Sequence, residues 1–350
     1  MSNINQEQLS RYSRHLSLPG FTEVEQSKLR EGKVLCVGMG GLGCPAALYL
    51  TGAGIGVLGL VDHDHVELSN LQRQILYREE DLGEGKVTAA KKQLQRYNAT
   101  TQIHTYSEKL TEENALEIIA SYDLILDCSD NFDTRYLLND ACFHLQKPLI
   151  SASVFQLQGQ CLVFTQSPCF RCLFPKVDLV PNCNEAGILG PVPGVMGTLQ
   201  AIESIKLLIG WQGLANKMLI MDFLSLQTKT FTLQQDPSCR TCAKKEAFST
   251  LHPQVIMDEI TAMEFLSQQG AMQIIDVRTR EEFAEYNIGG ENIPLAELED
   301  FPIRKSTKPL LLLCKSGVRS RKAYTLLQGK GFKNLKMLKG GLNALSLDEH

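Results

Sequence analysis

Gly38-Met39-Gly40-Gly41-Leu42-Gly43 is a G-x-G-x-x-G run set between a short apolar segment and an Ala/Leu-rich one. Glycine lets a backbone approach phosphate closely, and the N–H groups that open the following helix are donors for an anion. Asp62 ends the next apolar segment, nineteen residues after Gly43, at the spacing of an acid that binds a ribose. Alone, the run signals only a nucleotide. An NAD-dependent oxidoreductase is the competing reading, and a bare glycine turn is a third, which the Asp62 spacing disfavours.

The residues beyond Asp62 suit phosphate charge better than hydride transfer. Asp64 comes next, then Ser69-Asn70-Leu71-Gln72-Arg73-Gln74 supplies an amide and a guanidinium, and Lys86 opens the following helical stretch. Asp130-Asn131 follows the apolar run 124–127. Met singly, an Arg or a Lys is ordinarily a surface ion pair. Two cations, an acid suited to magnesium and a phosphate loop together make a site for a triphosphate.

Cysteine chemistry is written in three other places. Cys169-Phe170-Arg171-Cys172 and Cys239-Arg240-Thr241-Cys242 are C-x-x-C pairs, and four such thiolates make a closed, structural zinc site. Their 66-residue separation exceeds that of an ordinary zinc ribbon, so a redox pair or two unrelated pairs stay open. Cys183 sits among polar neighbours in the Pro- and Gly-rich stretch 175–197, which reads as an irregular crossing. Such a cysteine is exposed and reactive, or a bystander; both readings stand. Cys314-Lys315-Ser316-Gly317-Val318-Arg319-Ser320 follows the apolar run Leu310-Leu311-Leu312-Leu313. On a strand-to-helix turn, backbone N–H groups, the helix dipole, Lys315 and Arg319 would favour the thiolate and a persulfide anion. Four residues separate Cys314 from Arg319, one fewer than in tyrosine phosphatases.

The positioning elements follow from hydrophobic periodicity. Strands are expected at 34–37, 57–61, 103–106, 123–127, 149–151 and 161–164, with a pair at 218–223 and 228–232. Helices are expected from the glycine run to about residue 54, and at 84–97, 134–145 and 197–210. This alternation predicts an α/β fold, a parallel or mixed sheet covered by helices. Residues 237–253 read as a linker by composition, and a small second α/β unit follows, with strands at 273–277 and 310–314 and helices at 279–286 and 318–328. The divisions are 1–245, a linker 246–254, and 255–350.

A hydrophobic fraction of 43% supports full cores, and a net charge of −4 argues against a nucleic-acid partner. No apolar run reads as a membrane span, and the polar start lacks a secretory signal, so a cytoplasmic protein is expected. Eleven cysteines in a reducing compartment point to metal or chemistry rather than disulfides. Cys36, Cys128, Cys142 and Cys161 lie among apolar residues and are expected as small core side chains.

Residues 1 to about 245 resemble the ThiF/MoeB family, relatives of ubiquitin-activating enzymes that adenylate sulfur-carrier proteins. The resemblance implies a Rossmann-like domain in which Gly41, Asp62, Asn70, Arg73, Lys86 and Asp130 bind ATP and Mg²⁺. We place Gly38, Gly40, Gly43, Asp64, Ser69 and Asn131 in the same expected set. Arg11-Tyr12-Ser13-Arg14 matches a family motif whose last arginine, here Arg14, reaches the ATP of a partner subunit, which implies a homodimer. The family also carries a split Cys₄ zinc site and, in some members, a covalent role for a cysteine at the position of Cys183.

Residues 255–345 resemble rhodanese sulfurtransferases. The matching segments are the Cys314 loop, Ile274-Ile275-Asp276-Val277-Arg278, Glu281-Glu282-Phe283, Ile288-Gly289-Gly290-Glu291-Asn292-Ile293-Pro294 and Gly340-Gly341-Leu342. Leu345 stands where that family usually has an aromatic residue. The two resemblances together imply a carrier of MoaD/ThiS type ending in Gly-Gly, adenylated by the first domain. Cys314 would then sulfurate it, after charging by a donor such as a cysteine desulfurase. The fusion points to molybdopterin synthesis; thiamine synthesis and tRNA thiolation use the same logic. A dinucleotide oxidoreductase fused to rhodanese and a non-catalytic docking protein are the readings from other classes.

Overall fold

The structure, a computed structural model, describes residues 5–175, 187–252, 257–298 and 308–345. The chain divides into two compact units, Met1–Pro253 and Gln254–His350. The first begins with three short helices, α1 (Gln6–Arg11), α2 (Ser13–Leu16) and α3 (Glu23–Glu31). Then come β1 (Lys33–Val37), α4 (Gly43–Ala53), β2 (Val57–Val61), α5 (Lys86–Tyr97), β3 (Gln102–Tyr106), α6 (Ala115–Ala120) and β4 (Leu124–Asp127). They are followed by α7 (Phe132–His144), β5 (Leu149–Phe155), β6 (Gln158–Phe164) and α8 (Phe170–Leu173). α9 (Pro191–Ile209), β7 (Lys217–Asp222), β8 (Gln227–Thr232) and α10 (Phe248–Leu251) complete the unit.

The strand order is β3-β2-β1-β4-β5-β6-β7-β8. The first five strands are parallel, and β6, β7 and β8 are added antiparallel. Alternation along β1 shows why both faces are covered. Val34 and Cys36 join a core with Leu50, Val87 and Ala201, whereas Leu35 and Val37 join one with Ile119, Leu138 and Phe170. The strand order reverses between β1 and β4. Loops leaving the carboxyl ends of parallel strands part at such a reversal, which is where open α/β sheets bind ligands.

Three expectations change. α9 starts at Pro191, inside the stretch that composition marked as irregular. Proline in a first turn forfeits no helix hydrogen bond. At Gly197 an added Cβ would collide with the Leu42 carbonyl and lie 2.8 Å from Pro45 Cγ, so glycine lets α9 press onto α4. Second, α9 has nineteen residues and a mean hydropathy of 1.2, long and apolar enough to cross a membrane, contrary to the sequence reading. Met196, Gln200, Ala201 and Ser204 are buried where it packs on α4, β5 and β6, so its apolarity serves a core. Third, the segment read as a linker contains α10, whose Phe248 is buried with Leu149 and Phe164. Cys36, Cys128, Cys142 and Cys161 are buried as expected. Burial pushes the Cys128 and Cys142 thiols up, and Cys161 up to about 12, which keeps them unreactive.

The second unit comprises β9 (Glu259–Ile260), α11 (Ala262–Ser267), β10 (Gln273–Asp276), α12 (Arg280–Glu285), β11 (Glu291–Asn292), β12 (Leu310–Leu313), α13 (Val318–Gly329) and β13 (Leu335–Leu338). Its sheet is parallel in the order β11-β10-β12-β13-β9. β12 is buried on both faces: Leu310 and Leu312 meet Ile275 and Leu327, and Leu311 and Leu313 meet Phe265 and Leu342. Leu345 packs partly against the latter cluster, where the related family has an aromatic residue.

Candidate active sites and metal centre

The glycine run occupies the reversal point of the first sheet. Gly38 has φ +96°, and a Cβ there would lie 2.7 Å from the Cys128 carbonyl oxygen, so only glycine lets the loop pass the end of β4. At Gly43 a Cβ would collide with the Gly38 carbonyl. α4 opens at Leu42 with no side-chain cap, which leaves its first turn suited to an anion.

Asp62, at the end of β2, accepts the Met39 N–H at 2.7 Å and the Asp64 N–H at 2.9 Å. It therefore positions the loop as well as presenting a carboxylate. Tyr77 donates its hydroxyl to Met39 O at 2.8 Å, and burial drives its pKa far up, so it stays a donor. Tyr77 escaped the sequence reading, because a buried aromatic beside apolar residues looks like core, and Gln74 entered it only as the end of the Ser69–Gln74 segment. Gln74 Nε2 would lie 3.8 Å from a Cβ at Gly40, and Gln74 Oε1 is buried with no hydrogen-bond partner among the described residues.

Lys86 Nζ donates to Asp64 Oδ2 at 2.9 Å, with the lysine side chain 8% exposed and the aspartate 55%. Burial works against the Asp64 charge, but the hydrogen bond and charge of Lys86 outweigh it and hold its pKa below the usual value. Arg73 donates to Ser69 O at 2.8 Å, and its Cγ would lie 3.5 Å from a Cβ at Gly41, so the guanidinium stem crosses the loop. Asn70 is buried and donates to Ser69 Oγ at 3.2 Å. Asp130 is exposed after β4. Asn131 accepts the Thr134 N–H at 2.9 Å as the cap of α7, so its carbonyl is committed to the fold. Arg14 is exposed on α2 and has no ion pair with another described residue. His63, absent from the expected set, joins Asp62 and Asp64 with ligand atoms all within 4.8 Å. The carboxylates of Asp62, Asp64 and Asp130 are the hard oxygen donors that magnesium takes.

Cys169, Cys172, Cys239 and Cys242 bring four sulfurs within 4.8 Å of one another, with Cys169–Cys239 at 3.6 Å and Cys172–Cys242 at 3.2 Å. Zn–S bonds of about 2.3 Å imply tetrahedral edges of about 3.8 Å, so the set fits one zinc ion. Cys169 immediately precedes the short α8, where a redox cysteine would open a helix, but the second pair converging on it is the arrangement of a metal site. Burial pushes the Cys169 thiol up and Cys172 up to about 11, so a metal must displace protons to bind.

Cys314 follows β12 directly and is buried. Its Sγ accepts the N–H groups of Gly317 at 3.1 Å and Ser320 at 3.4 Å, the cradle expected for a thiolate. Gly317, at φ +88°, supplies the turn. Leu342 and Asn343 donate backbone N–H groups to the carbonyls of Cys314 and Lys315 at 2.9 and 3.0 Å, so the Gly340-Gly341 turn buttresses the loop from behind. Lys315, Ser316 and Val318 are exposed. Arg319 has a partner that the sequence reading did not name. Its guanidinium forms a two-pronged pair with Glu282 of α12, one prong at 2.7 Å, while its charge also acts on Cys314, so both the backbone donors and this cation lie about the sulfur. Cys183 lies outside the described residues.

The chain matches the ThiF family over residues 12–241 and the rhodanese-like domain over residues 261–348. It belongs to the ThiF family and carries a rhodanese-like domain after the ThiF region. It is similar to the adenylyltransferase and sulfurtransferase MOCS3 of Drosophila willistoni, 37% identical over 383 residues, which cover 98% of this chain and 84% of that protein. The protein of the same description from Anopheles gambiae is 41% identical over 295 residues, covering 83% and 66%. Among solved structures, E. coli MccB with ATP has a TM-score of 0.60 at 23% identity, over 70% of this chain and 76% of that one, a likeness of fold. The chain is thus an enzyme with adenylyltransferase and sulfurtransferase activities, which sets aside the oxidoreductase and docking readings.

Proposed function

We propose that the first unit adenylates the C-terminal glycine carboxylate of a ubiquitin-like sulfur carrier, and that Cys314 then supplies the sulfur of a thiocarboxylate, in molybdenum cofactor biosynthesis. The observation that carries the first half is the Gly38–Gly43 loop at the sheet's reversal point, locked by Asp62 and flanked by Lys86 and Arg73. The carrier carboxylate attacks the α-phosphorus, the bond to the bridging oxygen breaks, and pyrophosphate leaves. Both reactants are anions, so the main barrier is repulsion, which Lys86 and Arg73 lower. No general base is required, since the nucleophile is ionised at neutral pH. Asp130, exposed after β4, would hold Mg²⁺, which would neutralise triphosphate charge. Arg14 would serve the ATP of a second subunit in a homodimer; its exposed, unpaired guanidinium among the described residues supports this.

In the second half, a donor such as a cysteine desulfurase leaves a terminal sulfur on Cys314. This persulfide attacks the acyl-adenylate carbonyl, and AMP leaves, which forms an acyl disulfide. A thiol, for which Cys183 is the choice, attacks Cys314 Sγ. The S–S bond breaks, the thiocarboxylate departs, and a disulfide remains for a cellular thiol to reduce. The four-cysteine site would hold Zn²⁺ as a structural ion. A cytoplasmic setting belongs to the same reading. Thiamine synthesis and tRNA thiolation are the alternative pathways. The test is carrier-dependent ATP–pyrophosphate exchange with each candidate carrier, followed by mass analysis of its C-terminus. Exchange with a carrier of the molybdenum cofactor pathway and replacement of one oxygen by sulfur are expected. No exchange with any Gly-Gly carrier would overturn the reading.

A further inference from the structure

Asp140 of α7 takes no part in either chemistry, yet its side chain is fully buried and both of its oxygens accept hydrogen bonds. Its Oδ1 accepts from Asn139 Nδ2 at 2.9 Å, Arg171 Nε at 2.9 Å and Thr241 Oγ1 at 2.7 Å. Its Oδ2 accepts from Arg171 Nη2 at 2.6 Å and pairs with His252 Nε2 at 2.8 Å. A buried carboxylate is costly unless so satisfied. The origin of these donors is informative. Arg171 lies between Cys169 and Cys172, and Thr241 lies between Cys239 and Cys242. His252 directly follows α10 and precedes the division between the two units. Asn139 adds a tie of its own, since its Oδ1 accepts the Phe170 N–H at 2.7 Å. One carboxylate therefore grips both cysteine knuckles from behind and, with them, the last described residue of the first unit.

A metal in the cysteine site would hold the same two knuckles from the sulfur side. Two clamps on the same segments reinforce each other, and the coupling is reciprocal: whatever the metal adds to the Asp140 arrangement, that arrangement adds to metal affinity. His252 otherwise meets only Phe248, at 4.8 Å between ring centroids, and Glu112 at 4.0 Å, among the described side-chain contacts. We propose that Asp140 is a positioning residue that couples metal occupancy of the cysteine site to the anchoring of α10 and His252. Metal occupancy then fixes the place from which the chain departs toward the second unit. This rests on the zinc reading above.

The test uses the full-length chain, with metal analysis, zinc release to a chelator, and deuterium exchange over residues 247–252. In the wild type, chelation should abolish exchange protection of that segment. Asp140→Asn should release zinc about 10–100-fold faster, and should leave the segment unprotected even with zinc bound. His252→Ala, which keeps the carboxylate on both knuckles, should lose protection of the segment while releasing zinc faster than the wild type but more slowly than Asp140→Asn. Should Asp140→Asn not fold, the wild-type chelation and His252→Ala arms decide. A role confined to core packing predicts unchanged zinc release in Asp140→Asn, and that result overturns the proposal. So does segment protection indifferent to chelation. Zinc present with protection indifferent to it refutes the coupling alone; a chain isolated without zinc refutes the metal reading and the coupling with it.

Discussion

Replacing Gly341 with alanine should uncouple the two activities of this enzyme. Gly341 has φ +63°, a conformation that costs alanine about 1–2 kcal/mol. Its added Cβ would also collide with the Cys314 carbonyl and lie 2.7 Å from both Gly317 N and Lys315 O. Contacts at 2.7 Å fall short of ordinary separation by roughly 0.8 Å, and overpacking of this kind costs about 1–3 kcal/mol. The sum of roughly 2–5 kcal/mol is below the 5–15 kcal/mol typical of a domain, so the second unit should stay folded but melt earlier. The atoms that must move are those of the Cys314 loop, whose N–H groups at 3.1 and 3.4 Å cradle the sulfur. A displacement of about 1 Å at a reacting group costs on the order of 100-fold in rate. Sulfur transfer from thiosulfate to cyanide should therefore fall by about that factor, while ATP–pyrophosphate exchange by the first unit stays at the wild-type level. Gly329→Ala, where a Cβ meets nothing within 4 Å, is the control. Wild-type sulfur transfer by a folded Gly341→Ala chain would refute the buttressing role of the Gly-Gly turn.

Lys86→Gln removes the buried cation that donates to Asp64; pyrophosphate exchange should drop by roughly 100- to 1,000-fold, and unchanged exchange would take Lys86 out of the mechanism. Cys314→Ser should keep exchange and lose thiocarboxylate formation, as read by carrier mass. The pair with Arg319 lowers the Glu282 pKa from 4.5 to about 2. Its stabilisation is therefore complete above pH 4.5 and fades as pH falls toward about 2. The thermal midpoint of the second unit should lose that part of its acid sensitivity in Glu282→Gln, and identical acid profiles would argue against the pair.

The local features were open to reading from residue order. A glycine run between an apolar strand and a helix, and an acid at the end of the next strand, announce a phosphate loop because its geometry spans only a few consecutive residues. The same holds for Cys314, where four leucines and a glycine-bearing turn dictate a strand, a cradle and a helix. Strand–helix alternation likewise implied a parallel or mixed sheet, since parallel neighbours need a crossover connection that is usually a helix. Two-residue strands such as β9 and β11 leave no periodicity to detect, and Pro191 and Gly197 imitate loop composition while starting and seating α9.

Other features exist only once the chain has folded. The strand order that reverses between β1 and β4 decides that the loop at Gly38 and the residues after Cys128 share one crevice. Packing of α12 beside the Cys314 loop turns Arg319 toward Glu282, a pairing between positions 37 residues apart that no local pattern encodes. Asp140, Arg171, Thr241 and His252 come from four separate segments, and the first reads as an ordinary helical acid. Sequence spacing determines which groups a short stretch can present. Which of them answer one another's charge is set by burial, because only in the desolvated interior does an unmatched carboxylate or guanidinium cost enough to select its partner.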